Sequence, residues 1–199
     1  PEKDHPRYLA ISVLGNGLLS AKRYDDALSV QEAELSMESR LGRTAYNLLV
    51  VQSNLAVTYE KTGRLESALQ MKRDVYSGRL KLNGEEHEET LRAANNYAAS
   101  LIKLERFREA KRLLRRTTPV ARRILGNSHD LTLVMRTNCA VALYKDPATT
   151  LDDIREAVMT LEDAERTARR VLGGANPITM RIVAALRNAR ATLRAREPK

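Results

Sequence analysis

Gly84-Glu85-Glu86-His87-Glu88-Glu89-Thr90-Leu91, Gly126-Asn127-Ser128-His129-Asp130-Leu131-Thr132-Leu133 and Gly173-Gly174-Ala175-Asn176-Pro177-Ile178-Thr179-Met180 are one motif written three times. The glycine is followed at +3 by His, His or Asn, at +6 by Thr, and at +7 by Leu or Met. Gly42 begins a fainter copy that ends at Leu49. The glycines stand 42, 42 and 47 residues apart. Self-similarity at such a period is the signature of a stacked-repeat architecture.

Two further markers keep the same period. One reads Asn54-Leu55-Ala56, Asn96-Tyr97-Ala98 and Asn138-Cys139-Ala140. The other reads Arg23-Tyr24-Asp25-Asp26-Ala27, Arg64-Leu65-Glu66-Ser67-Ala68 and Arg106-Phe107-Arg108-Glu109-Ala110. Ala157 lies 19 residues after Asn138, where the earlier copies have 14. The five extra residues fall around Asp146-Pro147-Ala148-Thr149-Thr150, a turn-like stretch.

Each period reads as helix, short turn, longer helix, loop. In the second copy the first helix covers about Tyr46 to Lys61, with Leu48, Val51, Leu55 and Tyr59 on one 3.6-residue stripe. Thr62-Gly63-Arg64 stops it, because glycine supplies the left-handed conformation of a helix end. The second helix runs about Leu65 to Leu82 and stops at Gly84. A helix pair of this size cannot bury its apolar stripe alone, so neighbouring pairs stack. Four units are expected, about 4–43, 44–85, 86–127 and 128–174, with a capping helix about 177–196, in a single domain over 1–199. Pro177 suits the first turn of that last helix.

Composition agrees. Ala, Glu, Lys, Leu and Arg make 103 of 199 residues, the make-up of long helices. Only 18 residues are Val or Ile and 8 are aromatic, which disfavours strands. No apolar run approaches the roughly 18 residues a transmembrane helix needs. The lone Cys139 rules out an internal disulfide and suits a reducing, intracellular compartment such as the cytoplasm.

These residues resemble the tetratricopeptide repeat, in particular the 42-residue kind of kinesin light chains. Asn54-Leu55-Ala56-Val57-Thr58-Tyr59 followed by Gly63-Arg64-Leu65-Glu66-Ser67-Ala68 carries the likeness best, and Asp4-His5-Pro6 opens the first copy. Val13 stands in the first copy where the others have asparagine, and Ala185 in the last helix. The chain begins at a loop motif that normally follows an earlier repeat, which suggests a piece of a longer protein. The resemblance implies an all-α, right-handed superhelical solenoid whose first helices line a concave groove for extended peptides.

Carried over position by position, that groove would hold Asn54, Asn96 and Asn138, with Val50, Arg92, Val134 and Arg181 one turn earlier. Lys61, Lys103 and Lys145 would follow, with Ser53, Asn95, Val57, Ala99 and Asn188 completing the lining. An asparagine amide donates and accepts, so it can pair with a peptide backbone of any sequence. Arginine and lysine add charge-assisted bonds to carboxylates. The expected partner is therefore an extended, acidic protein segment that orders on binding. The asparagines could equally bridge neighbouring helices, the two arginines could be solvated, and the lysines suit the helix dipole where they stand.

The charge is uneven. Residues 1–83 carry net +2 and residues 84–199 net +7. The densest stretch holds Arg106, Arg108, Lys111, Arg112, Arg115, Arg116, Arg122 and Arg123 against the single Glu109. It reads as a solvated helix face, a contact for an acidic protein or membrane surface, or a nucleic-acid contact. A basic stripe with only Phe107 for stacking is a weak nucleic-acid signal. The second functional reading is thus a structural or regulatory arm that binds RNA or a large assembly through this basic half.

His5, His87 and His129 sit in equivalent loops one repeat apart, so they are expected to bond within their loops rather than to share a metal. Cys139 aligns with Leu55 and reads as a small core residue. No catalytic motif and no phosphate loop occurs, so neither enzyme activity nor a cofactor is expected. The oligomeric state is not written in the sequence.

Overall fold

The computed structural model describes residues 5–42 and 44–197, with side chains from Ala10 onward. Asp4, the His5 and Pro6 side chains, and Arg43 lie outside the described residues. Among those described, the chain is helical without strands: α1 (His5–Ser20), α2 (Tyr24–Arg40), α3 (Ala45–Lys61), α4 (Leu65–Asn83), α5 (Glu88–Lys103), α6 (Phe107–Leu125), α7 (Asp130–Lys145), α8 (Leu151–Leu172) and α9 (Pro177–Arg196). The contacts divide them into two compact units, one ending at Gly84 and one starting at Glu85.

The repeated motif explains how each long helix hands over to the next. Gly84, Gly126 and Gly173 close α4, α6 and α8 at φ of 81°, 90° and 82°, in the left-handed region. Three residues later a side chain caps the following helix. His87 Nδ1 accepts from the Glu89 N–H at 3.2 Å, His129 Nδ1 from Leu131 N–H at 3.2 Å, and Asn176 Oδ1 from Ile178 N–H at 2.8 Å. Each bond satisfies one of the donors that a helix start leaves open. His87 and His129 thus have the loop role expected of their spacing, and the His5 side chain lies outside the described residues.

The short turns inside each pair are less uniform. Gly63 takes φ 78° between α3 and α4, whereas Lys22 and Glu105 hold φ of 61° and 58° at the same place in their own pairs. A side chain in that conformation strains the backbone. The fourth pair abandons this turn. Asp146 Oδ1 accepts from the Ala148 N–H at 2.9 Å, and Thr150 opens α8 with a reciprocal box. Asp153 N–H donates to Thr150 Oγ1 at 3.1 Å and Thr150 N–H to Asp153 Oδ2 at 3.4 Å. The five-residue insertion builds this turn.

Small residues let the helices close. Ala27, Ala68, Ala110 and Ala157 are fully buried. In the first unit Gly78 goes further, since a Cβ there would lie 2.5 Å from Leu49 Cδ2. In the second unit Leu133, Leu143, Ile154, Leu161 and Ile182 gather α7, α8 and α9 around one core.

Candidate functional site

In the second unit α7 packs against α5 on one side and α9 on the other. The short connections make the pairs antiparallel, so α5, α7 and α9 run the same way, side by side. Arg92, Asn96, Ala99 and Lys103 fall at i, i+4, i+7 and i+11 of α5, one stripe of a 3.6-residue helix. Val134, Asn138, Val141 and Lys145 make the matching stripe on α7, and Arg181, Ala185 and Asn188 on α9.

The asparagines on this face do different work. Asn138 is only 3% exposed. Its Nδ2 donates to Asn95 Oδ1 at 2.8 Å, and its Oδ1 accepts from the Arg181 guanidinium. Asn138 therefore bridges α5, α7 and α9, and Asn95, itself 8% exposed, ties α5 to α7. This is the helix-bridging alternative, and it draws both amides away from a ligand. Asn188 is also engaged, hydrogen-bonded to the buried Tyr144 hydroxyl of α7. Asn96, one residue from Asn95, points to solvent. In the first unit Asn54 is half-buried, and Val50 and Val57 beside it are each 36% exposed.

The cations divide as sharply. Arg92 is held by Glu88 and Glu89 of its own helix. Lys103 and Lys145 are exposed, and among the described residues neither meets an acidic side chain. The same holds for Lys61 in the first unit. Among the described residues Arg181 meets only the neutral Asn138, and partial desolvation lowers its pKa from the usual arginine value. Arg181 is exposed, and a guanidinium that reaches solvent without a carboxylate of its own can accept one from a partner.

The basic stretch on α6 is largely engaged. Arg106 pairs with Glu109 at 2.6 Å, Arg123 with Glu86 at 2.7 Å, and Arg122 Nε donates to Asn127 at 2.8 Å. Arg115 reaches Asp153 at 3.5 Å and Glu156 at 3.0 Å, and Lys111 lies 3.8 Å from Asp153. Arg108 and Arg112 point to solvent. Apart from Glu109, the acids come from α8 and from the loop before α5, so the run itself could not reveal them.

The buried cations escaped the sequence: Lys72 and Arg79 in the first unit and Arg136 in the second. Arg136 of α7 is 5% exposed and donates to Asp163 Oδ2 at 2.6 Å and to Thr160 O at 3.4 Å. The bond from Arg136 holds the Asp163 carboxyl below the ordinary aspartate pKa. The signal available was its register: Arg136 occupies the place of Ala94 one repeat earlier, on the helix's packed side. Cys139 is half-buried, and desolvation pushes its thiol up to about 11. No group of three or more His, Cys, Asp or Glu able to hold a metal occurs among the described residues. No described helix is long and apolar enough to cross a membrane.

This geometry defines an all-α helical-repeat protein whose first helices present one face per unit. Residues 48–89 and 90–130 match the model of the tetratricopeptide repeat, so these segments are tetratricopeptide repeats. In fold the chain is similar to kinesin light chain-like repeat proteins. A crystal structure from Podosopora anserina, of a protein described as kinesin light chain with nearly identical TPR-like repeats, superposes with TM-score 0.78 at 19% identity, covering 96% of this chain and 88% of that one. A single-substitution variant of it gives TM-score 0.80 with the same identity and coverage. BtubC (BKLC) from P. vanneervenii gives 0.65 at 17% identity, over 100% of this chain and 87% of that one. No curated protein matches the sequence. Tetratricopeptide repeats are a scaffold for protein–protein contacts.

Proposed function

We propose that the chain is a non-catalytic protein-interaction scaffold, and that the α5–α7–α9 face binds an extended acidic segment of a protein partner. One observation carries this reading. Lys103, Lys145 and Arg181 share a face and meet no carboxylate among the described residues, while Arg92 on that face and Arg106, Arg115, Arg123, Arg136 and Arg190 of the same unit are each held by at least one. An uncompensated cationic face is complementary to acid, and complementarity selects partners and steers their approach. Asn96 adds an exposed amide for the partner's backbone. Asn95, Asn138 and Asn188 hold the face in shape. The RNA-binding alternative has no comparable support, because the basic stretch it would use has spent at least half of its cations on acids of its own unit.

The test is a calorimetric titration with a short glutamate-rich peptide and with its glutamine counterpart. The acidic peptide is expected to bind, to weaken as salt rises, and to weaken again on Arg181→Gln. Equal binding of both peptides, or binding of neither, contradicts the reading.

A further inference from the structure

The two exposed lysines of this face stand at matching heights on neighbouring helices. Asn95 and Asn138 fix the register through their 2.8 Å bond. Lys103 lies eight residues beyond Asn95 and Lys145 seven beyond Asn138, so they differ by one residue along parallel axes. One residue is about 1.5 Å of helix rise. Packed helices stand about 8–10 Å apart, which sets the spacing of the two stems. Between the lysine level and the exposed Asn96 the two stripes carry Ala99 and the half-buried Val141, both short side chains over which an extended chain can cross.

The partner's backbone must match that step. A β-strand returns a side chain to the same side every second residue, about 7 Å apart, and then at about 14 Å. Neither distance fits. A polyproline-II segment has three residues per turn at about 3.1 Å each, so every third side chain returns to the same side about 9 Å on. That distance does fit. It is also a conformation that unfolded segments already populate, which lowers the cost of ordering on binding.

Resting on the acidic-peptide reading above, we propose that the α5–α7 face selects a polyproline-II segment whose acidic side chains lie three residues apart, one carboxylate on Lys103 and the next on Lys145. Residues between them face away from the helices and are free to vary. Lys61 holds the equivalent place on α3 of the first unit.

The experiment uses the full chain and two peptides of identical composition, both rich in proline. One carries two glutamates three residues apart, the other carries them two residues apart. Affinities are measured by fluorescence anisotropy on the chain and on the Lys103→Gln/Lys145→Gln variant, whose fold is checked by its melting curve. Both lysines are exposed, so the variant should melt with the parent. The three-apart peptide is expected to bind about fivefold tighter, in line with one exposed ion pair gained, and the preference should vanish in the variant. Equal affinity of both peptides overturns the spacing rule and leaves the acidic-peptide reading standing. Binding of neither peptide removes that reading, and the spacing rule falls with it.

Discussion

The two units use the same repeat and join their helices differently. Up to Gly84 the joint is Gln31 of α2, which is 1% exposed. Its Oε1 accepts from Thr58 Oγ1 of α3 at 2.6 Å, and its Nε2 donates to Asn16 of α1 at 3.5 Å. From Glu85 onward the joint runs directly between first helices, from Asn95 through Asn138 to Arg181. In the first unit a second helix supplies the bridge and the face keeps Val50 and Val57. In the second, the face supplies its own bridge and leaves cations without acids. A residue's place in the repeat therefore fixes where it stands, while its neighbours fix what it does.

The largest expected effect tests that statement on one repeat position. Asn138→Ala leaves Asn95 Oδ1 and the Arg181 guanidinium without their shared partner, and should cost about 2–3 kcal/mol in chemical denaturation. Asn96→Ala, at the equivalent exposed position, should stay within about 0.5 kcal/mol. Equal losses would show that the place in the repeat, and not the neighbours, decides what the residue does.

Next is helix spacing. Gly78→Ala puts a Cβ against Leu49 Cδ2 and should cost about 2 kcal/mol, the scale of overpacking. Val120 stands at the matching place in α6, so the second unit accommodates a larger side chain there. Val120→Ala should therefore cost only the lost methyl groups, about 1 kcal/mol.

The turns should respond with opposite signs. Gly63→Ala is expected to lose about 1 kcal/mol, because φ is 78° there. Glu105→Gly relieves φ 58° and should gain up to about 1 kcal/mol, provided its backbone strain outweighs glycine's added freedom in the unfolded chain. A loss in both would show that Glu105 is held by something other than its backbone.

The smallest effect is in pH. Burial raises the pKa of Glu34, which bonds Ser12 in the first unit, whereas Arg136 lowers that of Asp163 in the second. A raised carboxyl contributes stability that is complete below its unfolded pKa and lost as pH rises through the folded one. A lowered carboxyl contributes stability present above its unfolded pKa and lost as pH falls through the folded one. Acidification from neutral pH should thus favour Glu34's surroundings first and weaken Asp163's pair later, below about pH 4. Denaturation series on Glu34→Gln and Asp163→Asn should each remove one of these opposite slopes. The Asp163 slope will be slight, since its side chain is 53% exposed.

The fold was legible because its signals are local and repeated. Glycine at a left-handed helix end, a capping His or Asn three residues on, and small residues at the closest approach all recur at one period. Lys22 and Glu105 hid the same turn, because their left-handed backbones are imposed by the pair and not by their own preference. The site was only half legible. Periodicity brought Asn96, Lys103, Lys145 and Arg181 to one face. It could not separate Asn138 from Asn96, since the difference comes from a side chain 43 residues away. For the same reason the basic stretch looked unpaired until Asp153 and Glu156 came across from α8.

The most direct test of the account is to map where an acidic peptide lands. Amide chemical-shift changes in the labelled chain should gather at Asn96, Ala99, Lys103, Val141, Lys145 and Arg181 as a glutamate-rich peptide is added. Changes gathered instead along Arg106 to Arg123 of α6 would contradict it.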